Sequence, residues 1–330
     1  MEYWLPLIFF GLMALSVLIY VVLDGYDLGV GILMRGVEDP LQDRMVSSIG
    51  PFWDANETWL VLGIGLLLVA FPLAHGVILT ALYLPVAVML FGLILRGVSF
   101  DFRIKAHDQH KPLWNHAFWG GSLAASLAQG FMLGQYIIGF SYDLTGVLFS
   151  LLIAVCLAAG YTLLGACWLM MKASGPVVER AGGWALKALW LTGLGIIAVS
   201  VATPWVSERI LDKWFSLPNL FLLLPLPVLS AAVFFICDNH LRKIAAGVSE
   251  RVWVPFASAI ALFVLSFIGL GYSMFPYLVI DRIDIWQAAS APGSLLFILV
   301  GTLITLPFIL GYTVFVYRVF WGRSEELHYD

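Results

Sequence analysis

The sequence predicts an all-α, polytopic membrane protein of about nine spanning helices, forming a single transmembrane domain over residues 1–330. Three observations carry that prediction. First, 61% of the 330 residues are apolar and only 12% charged, with mean hydropathy +0.95. A soluble domain is roughly 45–50% apolar and about 25% charged, so this chain has too few charges to cover a water-facing surface. Second, the apolar residues fall in runs of about 20, the length that crosses a hydrocarbon core. Third, the basic residues gather in alternate connections, as orientation in a membrane requires. Disorder, collagen-like sequence and a disulfide scaffold are excluded by the same composition. The net charge of −4 offers no basic field for nucleic acid.

In chain order the runs are about Tyr3–Met34, Pro51–Phe71, Gly76–Leu95, His116–Gly139, Thr145–Met171, Trp184–Trp205, Leu220–Cys237, Trp253–Tyr277 and Gly293–Phe320. The first covers roughly 48 Å at about 1.5 Å per residue, so it must tilt or project beyond the bilayer. It carries Glu2 and no early basic residue, which reads as a first span and not a cleaved signal peptide. The odd-numbered runs end on basic connections: Arg35 and Arg44; Arg96, Arg103, Lys105 and Lys111; Lys172, Arg180 and Lys187; Arg242, Lys243 and Arg251; Arg318 and Arg323. Those account for 14 of the 17 basic residues, and only Arg209, Lys213 and Arg282 fall on the other side. The N-terminus is therefore placed outside and the C-terminus in the cytoplasm.

The connections are short, with no low-complexity tract and no evident repeat. The glycines of Gly25–Gly31 sit inside the first apolar run and follow no strand, so they do not form a phosphate-binding turn. Cys156, Cys167 and Cys237 are scattered through apolar runs without C-x-x-C spacing and read as small buried hydrophobes.

Function is sought where charge enters the membrane. Asp24 and Asp27 lie near the inner end of the first span, Asp54 and Glu57 at the start of the second, each pair at i,i+3 and so on one helix face. Arg96, Asp101 and Arg103 at the end of the third span share that cytoplasmic side, giving seven charges where three helices meet the boundary. Part of this has a structural explanation. Asp54 and Glu57 follow Pro51 in the first two turns, where carboxylates meet the helix dipole favourably by roughly 0.3–1 kcal/mol, and Asp24 and Arg96 suit an ion pair. Against that, a charge in the apolar zone costs about 2.5–3.5 kcal/mol even on an insertion scale. Carboxylates in excess of nearby bases can carry protons.

The histidines His75, His107, His110, His116, His240 and His328 fall in connections, span ends or the tail, so no deep pair is placed to clamp a haem. The methionines are scattered as packing residues. Most of the tryptophans flank spans as an interfacial belt. The chain by itself is expected to bind neither haem nor catalytic metal.

Two segments are specific. Asp24-Gly-Tyr-Asp-Leu-Gly-Val-Gly-Ile-Leu33 and Trp53-Asp-Ala-Asn-Glu-Thr-Trp-Leu60 resemble the signature blocks of subunit II of the cytochrome bd-type ubiquinol oxidases. The resemblance continues through Arg96-Gly-Val-Ser-Phe-Asp-Phe-Arg103, Met274-Phe-Pro276, Trp286-Gln-Ala-Ala-Ser290 and Thr305-Leu-Pro-Phe-Ile-Leu-Gly-Tyr-Thr313, covering the chain end to end. The short connections are similar to those of the cyanide-insensitive branch. The resemblance implies a haem-free, nine-helix subunit of the bacterial inner membrane. Its haem-binding partner, subunit I, carries two b-type haems and haem d, oxidises quinol and reduces dioxygen to water with cytoplasmic protons. It further implies a role in assembling subunit I, lipid contacts, and in some members a small single-span subunit and a structural quinone.

Carried onto these residues, the resemblance assigns Asp54 to the proton route and Asp24 as its partner, with Arg96 as the basic residue ending span three. Asp27 and Glu57 join the proton pathway, while Asp101, Arg103, Trp53 and Asn56 are structural and charge partners. Some relatives carry Gln at the position of Glu57, and many carry an acid at the position of Gln287. Two other readings stand beside this one. A purely structural scaffold would use the charges as ion pairs. A proton-coupled transporter would place binding groups at mid-membrane in both halves, and the second half has almost no charge inside its spans.

Overall fold

The computed structural model describes residues 3–105 and 109–323. Glu2, His107 and His328, read above, lie outside the described residues. The chain is built from long helices in the predicted order. They are α1 (Trp4–Leu33), α2 (Asp39–Ile49), α3 (Trp53–Ala70), α4 (Pro72–Ala81), α5 (Tyr83–Lys105), α6 (Lys111–Ile137), α7 (Leu144–Lys172) and α8 (Pro176–Val206). After them come α9 (Glu208–Phe215), α10 (Asn219–Leu223), α11 (Pro225–Ala245), α12 (Trp253–Met274), the strands β1 (Tyr277–Val279) and β2 (Ile283–Asp284), α13 (Ile285–Ala288) and α14 (Pro292–Val319).

Eight of these, with α10 and α11 taken together, are long and apolar enough to cross a membrane. The fourth expected span falls within α6, which at 27 residues has the length but not the apolarity. Several of its polar side chains are turned inward and bonded there. Ser122 and Ser126 donate to backbone carbonyls one turn back, Gln129 donates to the Tyr20 hydroxyl at 2.7 Å, and Gln135 to Ser150 at 2.9 Å. The third expected span is displaced. Gly76–Leu95 divides at Leu82 into the end of α4 and the start of α5, and the long helix runs on through Arg96 to Lys105.

α1, α6 and α7 form the centre. α3 packs on α1, α5 on α6 and α8 on α7, while α11 and α12 extend the layer beside α7 and α8. α14 lies at the rim against α3 and α1, with only Leu295, Thr302 and Val316 buried. Glycines set the central crossings, as in other membrane bundles where packing replaces hydrophobic drive. A Cβ at Gly29 would overlap the Tyr161 carbonyl, and one at Gly165 the Gly29 backbone, so α1 and α7 touch backbone to backbone. Gly92 and Gly121 do the same for α5 and α6. The glycine-rich stretch of the first span is thus a packing surface.

The connections separate into two ends. At one, α2 meets the ends of α5 and α6, and Arg180 of α8 donates to Glu38 at 2.6 and 3.0 Å. At the other, α4, the turn after α6 and the β1–β2 hairpin come together. Connections assigned to the same side from their basic residues therefore meet one another.

Candidate functional site

The site is assembled from three helices at the end predicted to face the cytoplasm. α1 places Asp24 and Asp27 one turn apart, both fully buried. α3 begins at Trp53 and brings Asn56, fully buried, and Glu57, whose side chain is 29% exposed. α5 contributes Arg96, 1% exposed. The Arg96 guanidinium lies 2.7 Å from the Asp24 carboxylate and also donates to Glu57, with the Trp53 ring 5.9 Å away. One guanidinium thus serves two carboxylates.

Asp27 is held differently. Its Oδ2 accepts from the Asn56 amide at 2.7 Å, and the same amide donates to the Tyr26 hydroxyl at 2.8 Å. Tyr317 of α14 donates to the Asn56 carbonyl oxygen at 3.1 Å, and its hydroxyl lies 2.5 Å from that of Tyr26. Asn56 therefore ties the first, second and last spans together. Deeper in the bundle, Tyr161 donates at 2.7 Å to Gln129, which donates in turn to Tyr20, one turn before Asp24.

The cluster holds three carboxylates against one guanidinium. Asp24 Oδ2 and Asp27 Oδ1 are buried with no hydrogen-bond partner among the described residues. Burying an unpartnered carboxylate oxygen is costly, and groups of this kind concentrate where chemistry is done. A proton or a water is the smallest species that would satisfy them.

The other predicted residues are placed apart. Asp54 is exposed, on the outward face of α3 with Thr58 and Val61. Asp101 is exposed on α5. Arg103 turns away to Asp43 of α2 and Asn115 of α6, and Asn115 donates to Asp39 at 3.3 Å, making a second polar cluster. Trp53 stacks obliquely on Phe100 at 5.1 Å. Four of the seven charges expected together, Asp24, Asp27, Glu57 and Arg96, are in one network. Sequence reasoning missed Tyr26, Tyr317, Tyr20, Gln129 and Tyr161. Gln129 was detectable as an isolated amide in an apolar run, whereas Tyr317 lies far along the chain and carries no such mark.

His75, His110, His116 and His240 are exposed or half-buried, and among the described residues no group of three or more His, Cys, Asp or Glu is arranged to hold a metal ion. His116 and His240 each engage a carbonyl one turn earlier, at 2.6 and 3.0 Å.

Comparison with known proteins is consistent along the whole chain. A family model described as cytochrome bd terminal oxidase subunit II matches residues 5–320. Cytochrome bd ubiquinol oxidase subunit 2 of Bacillus subtilis (strain 168) is 26% identical, over 97% of this chain and 96% of that one. Cytochrome bd-I ubiquinol oxidase subunit 2 of Escherichia coli (strain K12) is 25% identical, over 93% of this chain and 92% of the relative. In fold, the chain is similar to a chain of the bd oxidase from Geobacillus thermodenitrificans, with TM-score 0.80, 17% identity and coverage of 96% and 98%.

Proposed function

Because the chain belongs to the cytochrome bd terminal oxidase subunit II family, we propose that it supplies part of the cytoplasmic proton route to its haem-bearing partner, subunit I. The chain is one subunit of a terminal quinol oxidase in the bacterial inner membrane, and the transporter reading is set aside. In this reading subunit I holds the haems, oxidises quinol and reduces dioxygen, and the present subunit does no redox chemistry.

The observation that carries the proposal is the position of Asp54. It is a carboxylate on the outer face of α3, one turn before Glu57, which joins Arg96 and buried Asp24. An exposed acid at a membrane boundary can take a proton from cytoplasmic water and release it to an acceptor on a docked subunit. Behind it, Glu57, Arg96, Asp24 and Asp27 form a fixed charge cluster. The test is oxygen consumption by an assembled Asp54→Asn enzyme with full haem content. Turnover should fall by about a hundredfold or more, the usual range for loss of a proton-transfer group. Unchanged turnover overturns the proposal.

A scaffold reading is favoured by a different observation. Arg96 pairs with both Asp24 and Glu57, and Asn56 links Asp27 to α14, so the cluster also fastens four spans together. On that reading Asp54→Asn leaves turnover intact, while changes at Arg96 or Asn56 reduce the yield of assembled complex.

A further inference from the structure

At the end predicted to face outward, α4, the turn after α6 and the β1–β2 hairpin border a shallow, open cavity of about 620 Å³. Val77, Thr80, Ala81, Phe140, Tyr142 and Arg282 line it. We propose that this cavity binds the phosphate headgroup of one anionic phospholipid of the outer leaflet, with Arg282 on the phosphate and the apolar walls on the glycerol and first acyl carbons. The proposal does not depend on the proton route.

Two independent features point to a ligand. The first is charge. Basic residues are scarce at this end, and two of the three are committed within the protein. Arg209 lies 3.0 Å from Asp281 and over the Tyr277 ring, and Lys213 donates to the Phe275 carbonyl at 2.6 Å. Arg282 makes no ion pair and no side-chain hydrogen bond among the described residues, yet it lines the cavity. The second is strain. Gly139 and Phe140 are both left-handed, at φ 71° and 67°, with the Phe140 N–H donating to the Gln135 carbonyl at 2.8 Å to close α6. For a bulky side chain such a φ is a true outlier, of a kind that persists where surrounding structure imposes it, often at ligand sites. Here it sets Phe140 into the cavity wall.

The chemistry of the lining selects the ligand. Tyr142 already spends its hydroxyl on the Ala81 carbonyl at 2.6 Å, so the guanidinium is the cavity's main unspent polar group. A guanidinium pairs with phosphate oxygens in a two-pronged, charge-assisted contact. A neutral quinol head would leave it without a counter-ion, and free phosphate would leave the apolar walls unused. The exposed aromatic residues Tyr83, Tyr3 and Trp4 at the same end mark the level where headgroups lie.

The test uses the assembled oxidase, delipidated in detergent and titrated with phosphatidylglycerol, phosphatidylcholine or inorganic phosphate. Bound adducts are counted by native mass spectrometry. Phosphatidylglycerol should bind the wild-type complex at one site that inorganic phosphate does not displace. Arg282→Gln should weaken that binding about tenfold, the loss of one charge-assisted pair. Thr80→Trp, which fills the cavity from an exposed position, should weaken it comparably while leaving the guanidinium in place. The proposal is overturned if phosphatidylglycerol binds the wild type and both variants equally. It is overturned equally if inorganic phosphate competes as strongly as the lipid, which marks a free-anion site. Absence of this binding from the wild-type complex, as when subunit I covers the cavity, also overturns it.

Discussion

Arg96 is the residue on which the buried charge of this chain balances. Its guanidinium is shared between Asp24 and Glu57 at 1% exposure, and removing one partner of a buried pair leaves the other charged and unsolvated. Arg96→Gln is expected to destabilise the protein by about 3–5 kcal/mol. That is measurable as a lower thermal midpoint and a lower yield of assembled complex. Adding Asp24→Asn should recover part of the loss, because residues in contact are not additive. The exposed pair of Glu38 and Arg180 behaves differently. Hydrogen bonding to Arg180 holds the Glu38 carboxyl below its ordinary range. A depressed folded value means that its contribution is present above the unfolded value of about 4.3 and is lost as pH falls through the folded one. Glu38→Gln should therefore lower the thermal midpoint slightly at pH 7 and leave it unchanged once wild-type Glu38 is also protonated. The i,i+3 spacing correctly put Asp24 and Asp27 on one buried face. It did not do so for Asp54 and Glu57, because i,i+3 residues are about 60° apart around a helix and the protein surface passes between these two.

Among the elements, α6 shows how packing overrides hydropathy. Its serines and glutamines weaken its apolar signal, yet it lies between α1, α5 and α7, where those side chains find partners. The α4–α5 break and the amphipathic helices α2 and α9 were not legible as separate elements. Their boundaries depend on where the chain meets the membrane surface, which a window of apolar residues does not report. The glycines of α1 were legible only as glycines, and the Tyr161 partner of Gly25 and Gly29 lies more than a hundred residues away. Gly29→Ala places a Cβ against the Tyr161 carbonyl, so α1 and α7 must separate and assembled complex should be lost. Gly11→Ala in the same helix meets nothing within 4 Å. It should be neutral or stabilising by up to about 1 kcal/mol. Accumulation of the two variants in membranes compares them directly.

For the whole molecule, orientation is the property read most directly from the chain. With a membrane-impermeant maleimide on intact cells, Asp212→Cys should be labelled and Glu250→Cys only after permeabilisation; the reverse pattern would invert the assigned orientation. By itself the sequence determined the helical class, the alternation of the spans, the side on which the acids gather and the family. The first three follow from local composition, because apolar runs partition and basic residues stay on one side; the family rests on the resemblance of the charged motifs inside the spans. Only the tertiary structure decided which charges meet. Arg96 reaches Asp24 and Glu57, while Arg103, seven residues on and nearly two helical turns further along α5, goes to Asp43 and Asn115. Tyr317 closes on Asn56 from 261 residues away. These pairings depend on rotation and crossing angle, set by glycine contacts between distant helices, and no local pattern encodes a rotation that only a neighbouring helix can fix.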